Sequence, residues 1–430
     1  MEAETVEMSA SSGPGAAGCP VLHGYDPVDP ATVENPFPWL AKARESCPVF
    51  YVPAFDFFCV SRYEDVLEVL RQPIVYSNLH AHDIRVPAPP DIVEDIGEDY
   101  VFPLTNQLNV VDPPQHTRMR KLIQPTFTPK MVSRYEPALR EISDRLVDEF
   151  AEAGRADFAT QYARRLPALF IASVIGAPLE DAERFHRWIP HFFMLTGNAG
   201  LPEEQARESW KNVVEFDRYT KAFVEGRRAD PRDDLTSDLI AARTDDGEPA
   251  LTDQEITANT IGFIGAGSDN SATLMTQMMY QLLRHPDQWD AVKADRTLIV
   301  KAIDETMRFR GPLLALKRTT TEETVLGGIT LPKGSDVMIH LASANRDETV
   351  FPEPDRFDIH RESDRKNVAW GLWTHFCVGA PLAKLEAQVA LEALIDRLPG
   401  VRLAEDQGDP DYSINFVQPM IESLKLEWDV

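Results

Sequence analysis

Between Pro36 and Leu70 the chain alternates short apolar runs with a turn, as in VFYVPAFDFFCVSRYEDVLEVL. That pattern predicts a small hairpin followed by a helix. Residues 78–110 show no period. They contain PAPP and isolated apolar residues such as Phe102 and Leu104, and so predict a long irregular segment of the kind that is usually functional or mobile. From 116 to 245 helical spacing dominates, in LREISDRLVDEFAEAG and FDRYTKAFVEGRR. Thr252-Asp253-Gln254-Glu255 reads as a capping box. The helix it opens runs to Arg284, where His285-Pro286 stops it, a length of about 48 Å at 1.5 Å per residue. Gly262, Gly265 and Gly267 lie in its middle, each costing about 1 kcal/mol against Ala. Either a neighbour sits against this backbone or the helix bends there. Short strands with Gly-Gly and Pro-Lys-Gly turns are expected from Arg318 to His340, another helix from about Pro381, and a hairpin from Ile414 to Trp428. The fold class is mostly α with a small β part.

Composition narrows the picture. The 430 residues are 43% hydrophobic, with seven Trp, ten Tyr and twenty-one Phe. A chain of this size buries a large core and still encloses a cavity. No internal linker is visible, so residues 23–430 read as one domain. Residues 1–22, rich in Ala, Ser, Gly and Glu at the start, read as a disordered lead-in. A net charge of -26 argues against nucleic acid or an anionic membrane as partner. The N-terminal residues resemble neither a signal peptide nor an anchor, and no stretch is long and apolar enough to span a bilayer. Four cysteines, Cys19, Cys47, Cys59 and Cys377, form no CxxC and are too sparse for a disulfide framework. They fit a reducing compartment, and a cytoplasmic protein is expected.

The segment WGLWTHFCVGAPLAKLE, residues 370–386, carries the sharpest chemistry. A single thiol, Cys377, stands between Gly371 and Gly379 just before a helix. Helix N-termini and nearby N–H groups favour a thiolate, and small neighbours let a flat ligand approach the backbone. His375 could bond an anionic edge of that ligand. The segment resembles the haem-binding loop of the cytochrome P-450 family, F-G-x-G-x-[HR]-x-C-x-G, with Trp370 in place of Phe and Trp373 in place of Gly. The resemblance implies that Cys377 is the axial ligand of a haem b (iron protoporphyrin IX). Trp370 could donate its indole N–H to the thiolate, and the bulk of Trp373 implies a reshaped loop.

Three further segments match the same family in order and spacing. Glu305-Thr306-Met307-Arg308 resembles its ExxR motif, with Arg361 as third partner of a structural ion pair. DPPQHTRMRKL, residues 112–122, places His116 and Arg120 on one helix face. With Arg318 and His375 they would bind the two haem propionates. Ala266-Gly267-Ser268-Asp269-Asn270-Ser271 resembles the oxygen-activation motif, with catalytic Asp269 as the acid and Asn270 where Thr is usual. The resemblance covers nearly the whole chain. It implies the P-450 fold, with haem between the long central helix and the Cys loop.

The implied activity is a monooxygenase inserting one atom of O₂ into a small hydrophobic substrate, such as an oxygen-bearing terpenoid or other alicyclic. No GxGxxG follows a strand, so electrons would come from a separate ferredoxin and ferredoxin reductase. Arg118, Lys121, Lys130 and Lys384 would form the docking face. The expected substrate pocket is Phe102, Leu104, Phe192, Phe193, Phe263, Ala266, Leu313, Leu314, Leu316, Ile414 and Phe416, with Trp188 and His191 nearby. Asn270 also leaves open a peroxide-driven or non-oxygenating haem-thiolate enzyme. A non-catalytic haem sensor would need an output domain, which this sequence does not show.

Overall fold

The computed structural model describes residues 8–10, 18–197, 201–244, 246–362 and 365–430, with the backbone alone for 8–10. The central helix spans Asp253–Arg284, and its capping box is formed on both sides. Glu255 N–H donates to Thr252 Oγ1 at 3.2 Å, and Thr252 N–H donates to Glu255 Oε2 at 3.0 Å. The helix continues through its glycines because neighbours press on them. A Cβ on Gly262 would stand 2.9 Å from the Gln107 side chain, and one on Gly267 3.2 Å from Ile171. Most of the other helices pack around this one, and together they hold the main hydrophobic core.

The β part lies mainly in a seven-stranded sheet. Across the sheet, among the described residues, the strands are Met8–Ala10, Pro20–Leu22, Val49–Val52, Phe57–Val60, Asp336–Ile339, Leu316–Thr320 and Tyr76–Ser77. Val49–Val52 and Phe57–Val60 form the expected antiparallel hairpin, and the expected helix follows at Tyr63–Arg71. Phe57–Val60 also pairs in parallel with Asp336–Ile339, which joins the two distant strand regions of the sequence into one layer. No helix of the described residues is long and apolar enough to cross a membrane.

Three expectations change. The supposed lead-in lies partly outside the described residues. Its described part is ordered, with Met8–Ala10 paired to Pro20–Leu22 and Val21 opposite Tyr51 at the sheet edge. The open N–H and C=O groups of an edge strand supply pairing that a short polar segment lacks alone. The stretch from 116 to 245 contains a strand, Arg155–Asp157. It pairs with Lys425–Glu427, which also pairs with Arg402–Leu403. The C-terminal hairpin is reduced to one bridge, Tyr412 to Ile421. Between them Asn415 Oδ1 accepts from the N–H groups of Val417 and Gln418, each at 3.0 Å, and bends the chain into a tight loop.

Candidate active site around Cys377

Cys377 lies in the loop that leads into the helix Ala380–Arg397. Its N–H donates to Trp370 O at 2.7 Å. Gly371 holds φ at 68°, and a Cβ there would meet the His375 carbonyl oxygen at 3.0 Å. A Cβ on Gly379 would stand 4.0 Å from Cys377 Sγ. The loop therefore closes tightly around the half-buried Cys377. Burial pushes the Cys377 thiol up; N–H groups of Gly379 and Ala380 and the Arg120 guanidinium act the other way.

Beside the thiol is a set of donors that form no ion pair among the described residues; the one carboxylate that acts on them, Asp112, accepts from Ser77 and Asn78. His116, on the helix Gln115–Ile123, packs its ring 4.2 Å from that of His375. Both His116 ring nitrogens are buried without a partner. Asn78 Nδ2 approaches His375 Nδ1 at 3.0 Å. Arg120 donates to the carbonyls of Thr374 and Phe376. Arg318 is 7% exposed, and its one hydrogen bond among the described residues is to Lys317 O at 2.6 Å. Burial lowers Arg318 to about 10, with Asp112 opposing. Burial is also the largest cause holding His116 down to about 4 and His375 down to about 2, with neighbouring cations adding to it. A buried guanidinium with no ion pair calls for a counter-charge. A flat ligand carrying two carboxylates supplies it, and these residues fit the propionates of haem.

The ExxR segment is a closed ion-pair cluster. Arg308 Nε and Nη2 each donate to Glu305 at 2.8 Å, and Arg361 Nε lies 3.3 Å from Glu305 Oε1. Glu305 and Arg308 are buried. The remaining guanidinium N–H groups reach carbonyls of Asn345, Pro354 and Arg356 from Arg308, and of Pro352, Glu353 and Arg356 from Arg361. Such a network holds the loop from Asn345 to Arg361 against the helix Leu298–Arg310.

On the central helix, Ala266 is exposed although its neighbours Ile264 and Ser268 are buried. Open space therefore meets the helix at its middle. Asp269 is half-buried and its carboxylate accepts no hydrogen bond among the described residues; burial raises its pKa, with His186 and Arg164 opposing. Asn270 Nδ2 donates to Ala266 O at 3.1 Å, and its Oδ1 accepts from Gln418 Nε2 at 3.2 Å. The next residue, Ser271, donates to Glu386 Oε2. Glu386 stands on the helix that follows the Cys loop, so this bond ties that helix to the central one. Gln418, Glu386 and Asn78 carried no signal of their own in the sequence, although Glu386 closes the segment APLAKLE.

The expected pocket residues divide. Phe102 and Phe192 pack ring to ring at 5.6 Å, with Trp210 5.8 Å from Phe102. They and Leu104 keep almost no accessible surface, so they are core. Trp188 is core too, stacked on Phe216 at 4.9 Å, and His191 bonds Ser209. Leu314 is sealed with Phe37 and Ala342. Phe416 stacks on Phe57 at 6.0 Å, and Phe193 and Ile414 are 44% and 68% exposed. Phe263, beside Phe127, with Leu313 and Leu316, remain half-buried. Residue type marked all eleven as apolar but could not tell core from cavity wall.

The loop's two tryptophans also differ from expectation. Trp370 makes no bond to Cys377 Sγ; its indole N–H is buried without a partner. Trp373 does not crowd the loop. It adopts φ of 51°, turns its ring outward to 48% exposure, and stacks under Arg71 at 4.8 Å. Phe376 is exposed on the same loop. Of the four cations expected on this face, Arg118 pairs with Glu255 and Lys384 with Asp304. Lys121 and Lys130 are exposed and make no ion pair among the described residues.

A family model for cytochrome P450 matches residues 92–419. The chain is 32% identical over 395 residues to 6-deoxyerythronolide B hydroxylase of Saccharopolyspora erythraea, covering 90% of this chain and 95% of that one. It is 33% identical over 398 residues to a steroid C26-monooxygenase of Rhodococcus jostii, covering 90% and 81%. Among solved structures, cytochrome P450 CREJ in complex with (4-ethylphenyl) dihydrogen phosphate superposes with a TM-score of 0.85. That match has 28% identity over 95% of this chain and all of that one.

Proposed function

The chain belongs to the cytochrome P450 family, a family of haem b monooxygenases, and from that membership we propose which of its groups serve the reaction. Haem, when bound, supplies the iron at which O₂ is reduced and one oxygen atom passes to substrate. Cys377 gives the thiolate ligand. Arg318, His116, His375 and Arg120 hold the propionates. The observation that carries this reading is the lone thiol at a helix start beside the buried Arg318, which has no ion pair among the described residues, and His116, whose ring nitrogens have no partner.

Asp269, whose pKa burial raises and whose carboxylate accepts no hydrogen bond among the described residues, serves as the acid that delivers protons. Asn270 has no acidic proton and serves in positioning. The substrate is a small hydrophobic molecule bearing an oxygen. A ferredoxin, reduced by its own reductase, docks on the Cys side near Lys121 and Lys130, where Trp373 and Phe376 offer aromatic contact. The unpaired thiols of Cys19, Cys47 and Cys59 support a reducing compartment, the cytoplasm.

The test is the ferrous–CO spectrum. The protein should show the red-shifted Soret band of thiolate ligation, and Cys377→Ala should lose it. Retention of that band by Cys377→Ala would overturn the assignment. The presence of Asp269 favours O₂ over peroxide, and turnover with ferredoxin against turnover with peroxide alone separates the two.

A further inference from the structure

The oxygen-bearing substrate proposed above leaves open which kind of oxygen the cavity selects. The amides of Asn270 and Gln418 answer this through the order in which their atoms must face. Ala266 O, a backbone carbonyl, can only accept. The atom of Asn270 that meets it at 3.1 Å is therefore the amide nitrogen. That places Asn270 Oδ1 toward Gln418, and Gln418 must answer with its own nitrogen, at 3.2 Å. Gln418 Oε1 is then left facing away. No donor reaches it among the described residues, and it is not sealed in the core.

The backbone of Gln418 is itself fixed. Its N–H donates to Asn415 Oδ1 at 3.0 Å, and the preceding Val417 O accepts from Leu314 N–H at 2.8 Å. The backbone is thus held in place, and the orientation of the amide is set by its bond to Asn270 Oδ1. The amide meets the central helix on the row Ala266–Asn270, where Ala266 opens onto space. The half-buried side chains of Phe263, Leu313 and Leu316 carry no hydrogen-bonding atom.

We propose that Gln418 is a specificity-determining residue of the distal cavity, and that its Oε1 accepts a hydrogen bond from a hydroxyl on an otherwise apolar ligand. The site discriminates by polarity. A hydroxyl donates to Oε1, whereas a ketone or ether of the same shape brings one acceptor against another. One neutral hydrogen bond separates the two by about three- to tenfold in affinity. The inference rests on the haem reading, because it places Gln418 on the distal side.

The test uses ferric holoenzyme and azoles that ligate the iron and so carry their ring into the distal cavity. The probes are 4-phenylimidazole, its three hydroxyphenyl isomers and the matching methoxyphenyl compounds, titrated by the Soret shift. At least one hydroxyphenyl isomer should bind about five- to tenfold tighter than the parent, with no gain from its methoxy analogue. Gln418→Leu should abolish that gain while the parent's affinity changes less than about twofold. A hydroxyl gain that survives in Gln418→Leu, or its absence from the unaltered protein, overturns the proposal. Failure of every azole to shift the Soret band would instead overturn the haem reading, and this inference with it.

Discussion

Replacing Glu386 by Gln should make the protein more stable at neutral pH and flatten its response to pH. Glu386 is 2% exposed, and burial pushes its carboxyl up to about 8, with the hydrogen bond from Ser271 opposing. The ordinary value is 4.5. Between these two values the folded protein keeps a proton that the unfolded chain has released. Stability from this group is therefore intact below 4.5, falls as pH rises, and is lost once pH passes 8. The gap of 3.5 units amounts to about 5 kcal/mol in full, and to about 3 kcal/mol at pH 7. Unfolding entropy of about 2.1 cal/mol/K per residue converts the latter into about 4 °C. Gln keeps an acceptor for Ser271 and cannot ionise. Melting of the ferric holoenzyme, followed by the Soret band, should show the variant within about 1 °C of the unaltered protein at pH 5. It should lie about 5 °C above it at pH 8. A difference that stayed constant across this range would refute the reasoning, because it would mean that Glu386 ionises in the fold as it does in the unfolded chain.

Glu305→Ala leaves the buried Arg308 without its carboxylate, and should cost about 3–5 kcal/mol and most of the haem content, read by haem absorbance per protein after purification. Trp370→Phe should leave the reduction potential unchanged, since the indole N–H makes no bond to sulfur; a shift measured by redox titration with the same ligand bound would contradict that geometry. Trp373→Gly relieves a left-handed tryptophan but loses its stack under Arg71, so melting should move by less than about 1 kcal/mol. Electron transfer from an acidic [2Fe-2S] ferredoxin should nevertheless slow, while reduction by dithionite should not.

The parts of this fold legible in the sequence are those set by local chemistry. The capping box at Thr252 and the stop at His285 gave the central helix its ends, because caps and breakers act within a few residues. The hairpin at Val49–Val60 followed from alternation and a turn. The strand Pro20–Leu22 was not legible, since one of the strands that order it is encoded about thirty residues later. The ion pair of Glu305 and Arg308 could be seen as a spacing, but its burial depends on carbonyls from Asn345 to Arg356. The pocket was the least legible. Whether Phe192 faces a cavity or packs on Phe102 is decided by how two helices and a loop meet, and hydrophobicity is the same in both cases.

The departures from the family's loop and helix patterns are absorbed in different ways, and the difference bears on function. Trp373 keeps the left-handed backbone that a glycine would favour and sends its bulk to solvent, so the loop around Cys377 still closes and the change falls on the loop's exposed face. Trp370 stays inside but carries an N–H that finds no partner. Asn270 is the one whose replacement reaches across the cavity wall. A threonine hydroxyl at that position could bond its own helix, but its reach is too short to orient a second side chain from another loop. The longer amide spans from Ala266 O to Gln418, and so transmits the fixed polarity of a backbone carbonyl to a side chain of the C-terminal loop. The substitution thereby couples the central helix, to which proton delivery is assigned above, to the loop proposed to meet the substrate. Substrate choice and proton delivery are therefore expected to change together when Asn270 is altered, and separately when Gln418 or Asp269 is.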